Sequence, residues 1–418
     1  MRLLVVVANF LVFVHSLLTD YEGYKVFRLY PKCEDDLSAL VKLTESIYFD
    51  FWTPLKLNGK PLYVMVHPKV QEHFSSFLRD QAIFFYVFLD DIEMVIKKEK
   101  HVQGTLSELN CTMNYDRFDE IASYLNGLER NYPQIVKLKS VGKSYQKRKA
   151  KVCQISAQRD NNKPIIFITA GVYGREWFSV ALAKYVIKEL VENSINNDLL
   201  NQVDWHVLPV MNPDGYEYSH THERFWRKNR SVQKDGCIGV DLNRNFNFHW
   251  GEVTGSSNPC TETFMGLKPF SESESKGVKE YFYRFKDRIK MYLSFHGFGT
   301  EILYPWGYTH KMSIDGSKLH LLAEDVSNAI LDAGGEKYTV ESMASPVNPL
   351  AGSSEDWVKG VGEVDYVFTI SLPTGDYGYD PSPKKIISLA KPIFEGIKVF
   401  GKFITNTFGN VNGTSNKS

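Results

Sequence analysis

The sequence predicts an α/β protein: a mixed, mostly parallel sheet covered by helices on both faces, preceded by a small ferredoxin-like α+β domain. Three observations lead there. Short, nearly continuous apolar runs such as Pro164–Ala170 lack the alternation of half-exposed strands, as strands covered on both faces do. These runs alternate with long helical stretches, the pattern of a layered α/β fold. Ahead of them, from Tyr24 to about Ile96, the order strand, helix, strand, strand, helix, strand suits two β-α-β halves in one small sheet. A length of 418 residues fits two domains.

The elements follow in order. Arg2, the apolar run Leu3–Val14 broken only by Asn9, and the small residues around Ser16 make residues 1–16 a signal peptide. The run is too short to span a bilayer, so a secreted, extracellular protein is expected. The first domain, 17–105, holds strands at Tyr24–Tyr30, Ile47–Trp52, Pro61–Val66 and Ile83–Leu89, with helices at Glu34–Thr44 and Pro68–Leu78. Lys97-Lys98-Glu99-Lys100 reads as a charged, exposed connector open to a trypsin-like protease. In the second domain, 112–405, the Pro164–Ala170 strand turns through Gly171 and Gly174 into a helix from Glu176 to about Asn193. Trp205–Val210, Met291–Phe295 and Tyr366–Ile370 read as further buried strands. Ser271-Glu272-Ser273-Glu274 opens a helix as a capping box, and Lys385–Phe403 is the last helix. From Thr405 the chain is rich in Asn, Gly, Ser and Thr, and 406–418 reads as a flexible polar tail.

Lys+Arg and Asp+Glu both number 49, so no net charge draws the chain to nucleic acid or an anionic membrane, and a monomer is expected. Hydrophobic content of 43% supports a large packed core. Five cysteines allow two disulfides and leave one over; none has zinc-ribbon or redox-motif spacing. Asn110, Asn229, Asn412 and Asn416 head glycosylation sequons.

Glu176 follows a buried strand and a glycine-punctuated turn, and His296 follows another apolar run. Sites in open α/β sheets lie beyond the carboxyl ends of the strands, where both residues fall. A catalytic zinc takes about three protein ligands plus an open position for water. One Glu and one His alone make a poor site.

The words around them are more specific. Gly171-Val172-Tyr173-Gly174-Arg175-Glu176-Trp177, Trp226-Arg227-Lys228, Gly239-Val240-Asp241-Leu242-Asn243-Arg244-Asn245, Ser294-Phe295-His296-Gly297 with Leu303-Tyr304-Pro305, and Gly352-Ser353-Ser354-Glu355-Asp356-Trp357 stand in one order and spacing. In both, the chain resembles the zinc carboxypeptidases, the pancreatic and insect digestive procarboxypeptidases of A/B type that trim single residues from peptide C-termini. The resemblance runs from about Tyr24 to Phe403. It implies an inhibitory pro-domain in the first domain and a Cys237–Cys260 disulfide, leaving the pairing of Cys33, Cys111 and Cys153 open. It implies Glu176 and His296 as zinc ligands. It implies that Arg175, Asn243 and Arg244 hold the substrate's terminal carboxylate and backbone, where a guanidinium fork suits a carboxylate. Arg227 matches the residue that stabilises the oxyanion. Glu355 lines the floor of the side-chain pocket, which favours a basic C-terminal residue; a buried Glu that is neutral or paired internally is the alternative.

The departures fall at the reactive centre. Tyr173 stands where the family has a His ligand, and ionising a phenol at neutral pH costs about 4 kcal/mol. Ser371, in Phe368-Thr369-Ile370-Ser371-Leu372, stands in the slot of the general-base Glu, and Asn348 aligns with the mobile Tyr. Glu363 and Asp365 lie at the wrong end of that strand to deputise. No catalytic residue is therefore expected beyond the retained Arg227, and zinc binding is expected to be weak or absent. The leading expectation is a secreted, catalytically impaired member that still binds peptide or protein C-termini. The alternatives are an active zinc metallocarboxypeptidase with atypical metal ligation, and an interaction module with a vestigial pocket.

Overall fold

The computed structural model describes residues 21–99, 113–157, 162–234, 236–253, 255–375 and 379–409. In the first domain, strands β1 (Lys25–Tyr30), β2 (Phe49–Phe51), β3 (Leu62–Val66) and β4 (Phe84–Leu89) pair in the order β2-β3-β1-β4. All three pairings are antiparallel, as a ferredoxin-like sheet requires. The period-2 alternation of the strands explains both faces. Phe27, Leu29, Val64 and Val66 pack under helices α1 (Glu34–Val41) and α2 (Gln71–Asp80), against Leu37, Leu40, Phe74 and Leu78. Their neighbours Val26 and Met65 point the other way, onto Phe225, Phe298 and Tyr379 of the second domain.

The expected exposed connector is in part a helix. Residues 92–99 are helical (α3) and bury Ile92 and Ile96, and Glu99 accepts from Arg224 Nε at 2.7 Å. Apolar residues at i and i+4 just ahead of the lysines carry this helix, and the charge run hid it. Lys97 and Lys98 are exposed, as expected; Lys100 lies outside the described residues.

The second domain is built on β5 (Val136–Lys143), β6 (Lys149–Ile155), β7 (Ile165–Thr169), β8 (Asp204–Leu208), β9 (Ile289–Gly297), β10 (Glu301–Tyr304), β11 (Thr339–Ser342) and β12 (Tyr366–Leu372). The order is β11-β10-β12-β9-β7-β8-β6-β5, with β12, β9, β7 and β8 mutually parallel at its centre. Helices α4 (Phe118–Asn131), α5 (Trp177–Val191), α6 (Pro213–Thr221), α7 (Ser273–Phe285), α8 (Gly316–Asp332), α9 (Ser354–Gly360) and α10 (Ile386–Phe408) complete it. Ile166 and Ile168 of β7 pack with α4, α5, α8 and α10 on one face; Ile165 and Phe167 pack with α7 and α9 on the other. Both faces of β7 are therefore dry, as its apolar run predicts.

Local details correct several expectations. α7 starts with Glu272 as N-cap and no side-chain cap bond; the Ser271 hydroxyl instead meets Asn245 Nδ2 at 2.9 Å and Glu272 Oε1 at 2.7 Å. The capping box is absent because a buried asparagine claims that serine. α10 continues to Phe408, so Thr405 is helical. Asn229 is fully buried and donates to Glu272 Oε2 at 2.7 Å, so folding hides that sequon. Cys237 and Cys260 form the disulfide, while Cys33 and Cys153 are free. Cys111, the sequons at Asn110, Asn412 and Asn416, the signal segment 1–16 and residues 410–418 lie outside the described residues. Among the described residues no helix is long and apolar enough to cross a membrane.

Candidate functional site

The carboxyl ends of β7 and β9 open into a groove that the first domain covers. β7 leads through Gly171, at φ +60°, where a Cβ would sit 2.8 Å from Val180 Cγ2; only glycine turns here without strain. The turn delivers Arg175 and Glu176 to the start of α5. Glu176 is the N-cap without a cap bond of its own; Asp380 instead accepts from the Trp177 and Phe178 amides at 3.1 and 3.0 Å. His296 sits at the end of β9.

Glu176 and His296 meet as expected, with Nδ1 3.3 Å from Glu176 Oε2. The other ring nitrogen, Nε2, lies 3.5 Å from Glu355 Oε1. Burial works against the imidazolium, but Glu176 and Glu355 outweigh it and hold His296 up at about 10. Burial likewise opposes the Glu355 carboxylate, yet the His296 hydrogen bond and charge bring it down to about 2. Glu176 is pushed up by burial, against the pull of His296. Glu355 also accepts from Asn243 Nδ2 at 3.2 Å and Thr369 Oγ1 at 3.3 Å. The floor carboxylate is thus ionised and internally paired. Asn243 is engaged too, since its Oδ1 accepts from the Ser354 amide at 2.9 Å.

A cavity of about 180 Å³ is lined by Tyr173, Arg227, Arg244, His296, Asn348 and Ser371, together with Asn243 and Glu355. The three changed positions therefore share one space. Arg227 Nη2 donates to Asp241 Oδ2 at 2.8 Å, and its guanidinium lies 3.7 Å from the centre of the Tyr173 ring. Burial pushes the Tyr173 phenol well above its usual range, though Arg227 opposes it. A zinc ion held by three protein ligands does not fit this donor set: one carboxylate, one imidazole and a phenol that keeps its proton. Among the described residues no group of three or more His, Cys, Asp or Glu side chains is placed to hold a metal.

Arg175 is fully buried behind the lining and forms an ion pair with Asp50 of β2. Its Nε and Nη2, and Nε of Arg244, are buried with no hydrogen-bond partner. The first domain fills the rest of the groove: Phe51, Trp52, Pro54 and Leu55 line the same cavity, and Lys56 Nζ donates to the Ser342 carbonyl at 2.6 Å.

Sequence reasoning missed Asp50, Tyr379 and Glu262. Tyr379 lines the cavity and stacks under Arg175, 5.1 Å away. Glu262 is partly buried, and loss of water around its carboxyl pushes its pKa up, further by Asp50 and against Lys228, Arg175 and Arg227. A glutamate two residues after a disulfide cysteine, inside a motif-poor loop, carries no sequence cue.

Fold and groove together are those of the metallocarboxypeptidase family, with an activation-peptide domain ahead of the larger one. The chain belongs to the zinc carboxypeptidase family, whose profile matches residues 121–396, and that of the carboxypeptidase activation peptide matches 27–99. It is 38% identical to the carboxypeptidase B of Astacus astacus, over 71% of this chain and 98% of that one. With the carboxypeptidase B of Helicoverpa zea it shares 32% over 91% of this chain and 93% of the relative. Among solved structures, the carboxypeptidase A from Helicoverpa armigera superposes with a TM-score of 0.86 at 27% identity, covering 92% of this chain and 98% of the other. Thrombin activatable fibrinolysis inhibitor follows at a TM-score of 0.80 and 25% identity, over 92% and 100%.

Proposed function

We propose that this is a secreted carboxypeptidase-family protein that captures peptide C-termini and whose hydrolytic power is strongly reduced. The single observation that carries the reading is the state of Arg175 and Arg244. Buried guanidinium donors without partners are rare; Arg244 lines the groove, and just behind it a carboxylate, Asp50, already rests on Arg175. A peptide's terminal carboxylate has the same chemistry. The ionised Glu355 on the lining favours a basic last residue, though its bond to His296 weakens that preference. Residues 1–16 are the signal peptide, 17–105 the pro-domain, 112–408 the carboxypeptidase-like domain, its end moved from 405 by the length of the last helix, and 409–418 the tail in this reading.

The impairment follows from Tyr173, Ser371 and Asn348, which supply neither a third metal donor, nor a base, nor the phenol of the family pattern. A second reading, an active enzyme with unusual metal ligation, is favoured by the likeness to relatives named carboxypeptidase B. The experiment combines calorimetry with a peptide ending in Lys, zinc stoichiometry, and release of C-terminal residues by the chain nicked in its connector. Binding with little release and little zinc is expected. One tightly held zinc per chain with rapid release establishes the second reading instead.

A further inference from the structure

Three adjacent strands set three polar side chains in one row. Ser371 of β12 pairs in register with His296 of β9 on one side and with Glu301 of β10 on the other. All three point to the same face, because their chain neighbours Phe295, Ile370 and Ile302 belong to the core on the opposite face. Cross-strand neighbours have Cβ atoms about 5 Å apart. A glutamate side chain is roughly as long as that step. The carboxyl missing at 371 therefore reappears one strand over, beside a serine small enough to leave it room.

Gly299 shows how close the two come. A methyl group there would lie 3.7 Å from Glu301 Oε2 and 3.7 Å from Ser371 Cβ, so both border one small space. Glu301 is buried, and side chains of the first domain engage its carboxylate. Asn58 Nδ2 donates to its Oε1 at 2.8 Å and Lys60 Nζ lies 3.6 Å from the same oxygen. These groups border a cavity of about 460 Å³ between the domains, so the side chain has space to turn. Burial, reinforced by Glu341, raises the carboxyl above its ordinary range, against Lys60 and Lys56.

We infer that Glu301 is the general base of this groove: once the first domain is displaced, it turns over Ser371 and serves the bond presented there. It takes a proton from water as the water oxygen bonds to the scissile carbonyl carbon, and the carbonyl electron pair moves to the oxygen facing Arg227. When that intermediate collapses the C–N bond breaks, and Glu301 returns the proton to the leaving amine. The products are a shortened peptide and a free amino acid, with only water consumed. The inference rests on the C-terminus reading above and assigns whatever slow hydrolysis the groove performs.

The test uses the full chain nicked by trypsin, with a peptide ending in Lys, reading affinity by calorimetry and lysine release separately. Glu301→Gln is expected to cut release about 100-fold or more with affinity unchanged. The wild-type rate should climb with pH as Glu301 ionises, and the variant should lack that limb. Glu336→Gln, an exposed acid in the same cleft, should change nothing. Glu301→Gln matching wild type, or Glu336→Gln falling as far, overturns the inference. Peptide bound with no release overturns it while leaving C-terminus capture standing; no binding at all removes both.

Discussion

The two walls of the groove have fared differently. On one, Arg175, Arg227 and Arg244 stand in their family words, and Arg175 grips a carboxylate. On the other, Tyr173, Ser371 and Asn348 stand in the positions where the resemblance places a metal ligand, a base and a mobile phenol. In the reading proposed above, recognition and reaction separate in this architecture. Guanidinium forks are held by their own anchors, such as Asp241 on Arg227, and do not depend on the metal that the reacting wall needs.

The contrast can be broken most directly by repairing the reacting wall. Tyr173→His with Ser371→Glu should raise release of C-terminal residues about 100-fold or more, in a chelator-sensitive way, in the zinc-supplemented nicked chain. No gain would mean that the cationic wall is damaged as well. Next in size is Asp50→Asn, which leaves the Arg175 charge buried and unpaired. It should weaken the contact between the domains by about 3 kcal/mol, seen as faster departure of the first domain after nicking. Arg244→Ala removes a charged donor from the binding wall and should weaken a Lys-terminated peptide by about 2 kcal/mol, or roughly 30-fold, in calorimetry. Unchanged affinity would end the reading in which Arg244 holds a peptide's terminal carboxylate.

A further effect lies outside the groove and sharpens the comparison. Glu355 beside His296 is driven down, whereas buried Glu274, with Glu272 and Asp214 nearby, is pushed up to about 7, chiefly by burial. Glu274 thus binds its proton more tightly folded than unfolded, and stability should decline as pH rises from about 4.5 through about 7. Glu274→Gln should flatten that decline, with a higher melting temperature at pH 8 and little change at pH 4.5. A parallel decline in the variant would reject the assignment.

Much of this was legible in the sequence. Apolar runs without alternation gave the central strands, and their carboxyl ends gave the placement of Glu176 and His296. The small sheet followed from its order of elements. What stayed hidden depends on pairing between distant segments. Nothing in Phe49–Phe51 says that Asp50 meets Arg175, and nothing near Glu301 says that β10 lies in register beside Ser371. The buried state of Asn229 and the loss of the Ser271 cap have the same origin: tertiary partners, Glu272 and Asn245, outbid local rules.

Arg224 gives the molecule a rivet. It lies 3.6 Å over the Trp177 ring, with one side of its fork on Glu99 and the other on Asp380, 2.7 Å each. A protease that cuts after Lys98 severs the polypeptide on the far side of this rivet, so the new chain start, Glu99, remains fastened to the larger piece. The departing fragment then carries no memory of that fastening, and how readily it leaves is decided by its own contacts: Asp50, Lys56, Asn58 and Lys60, and the apolar patch of Val26 and Met65.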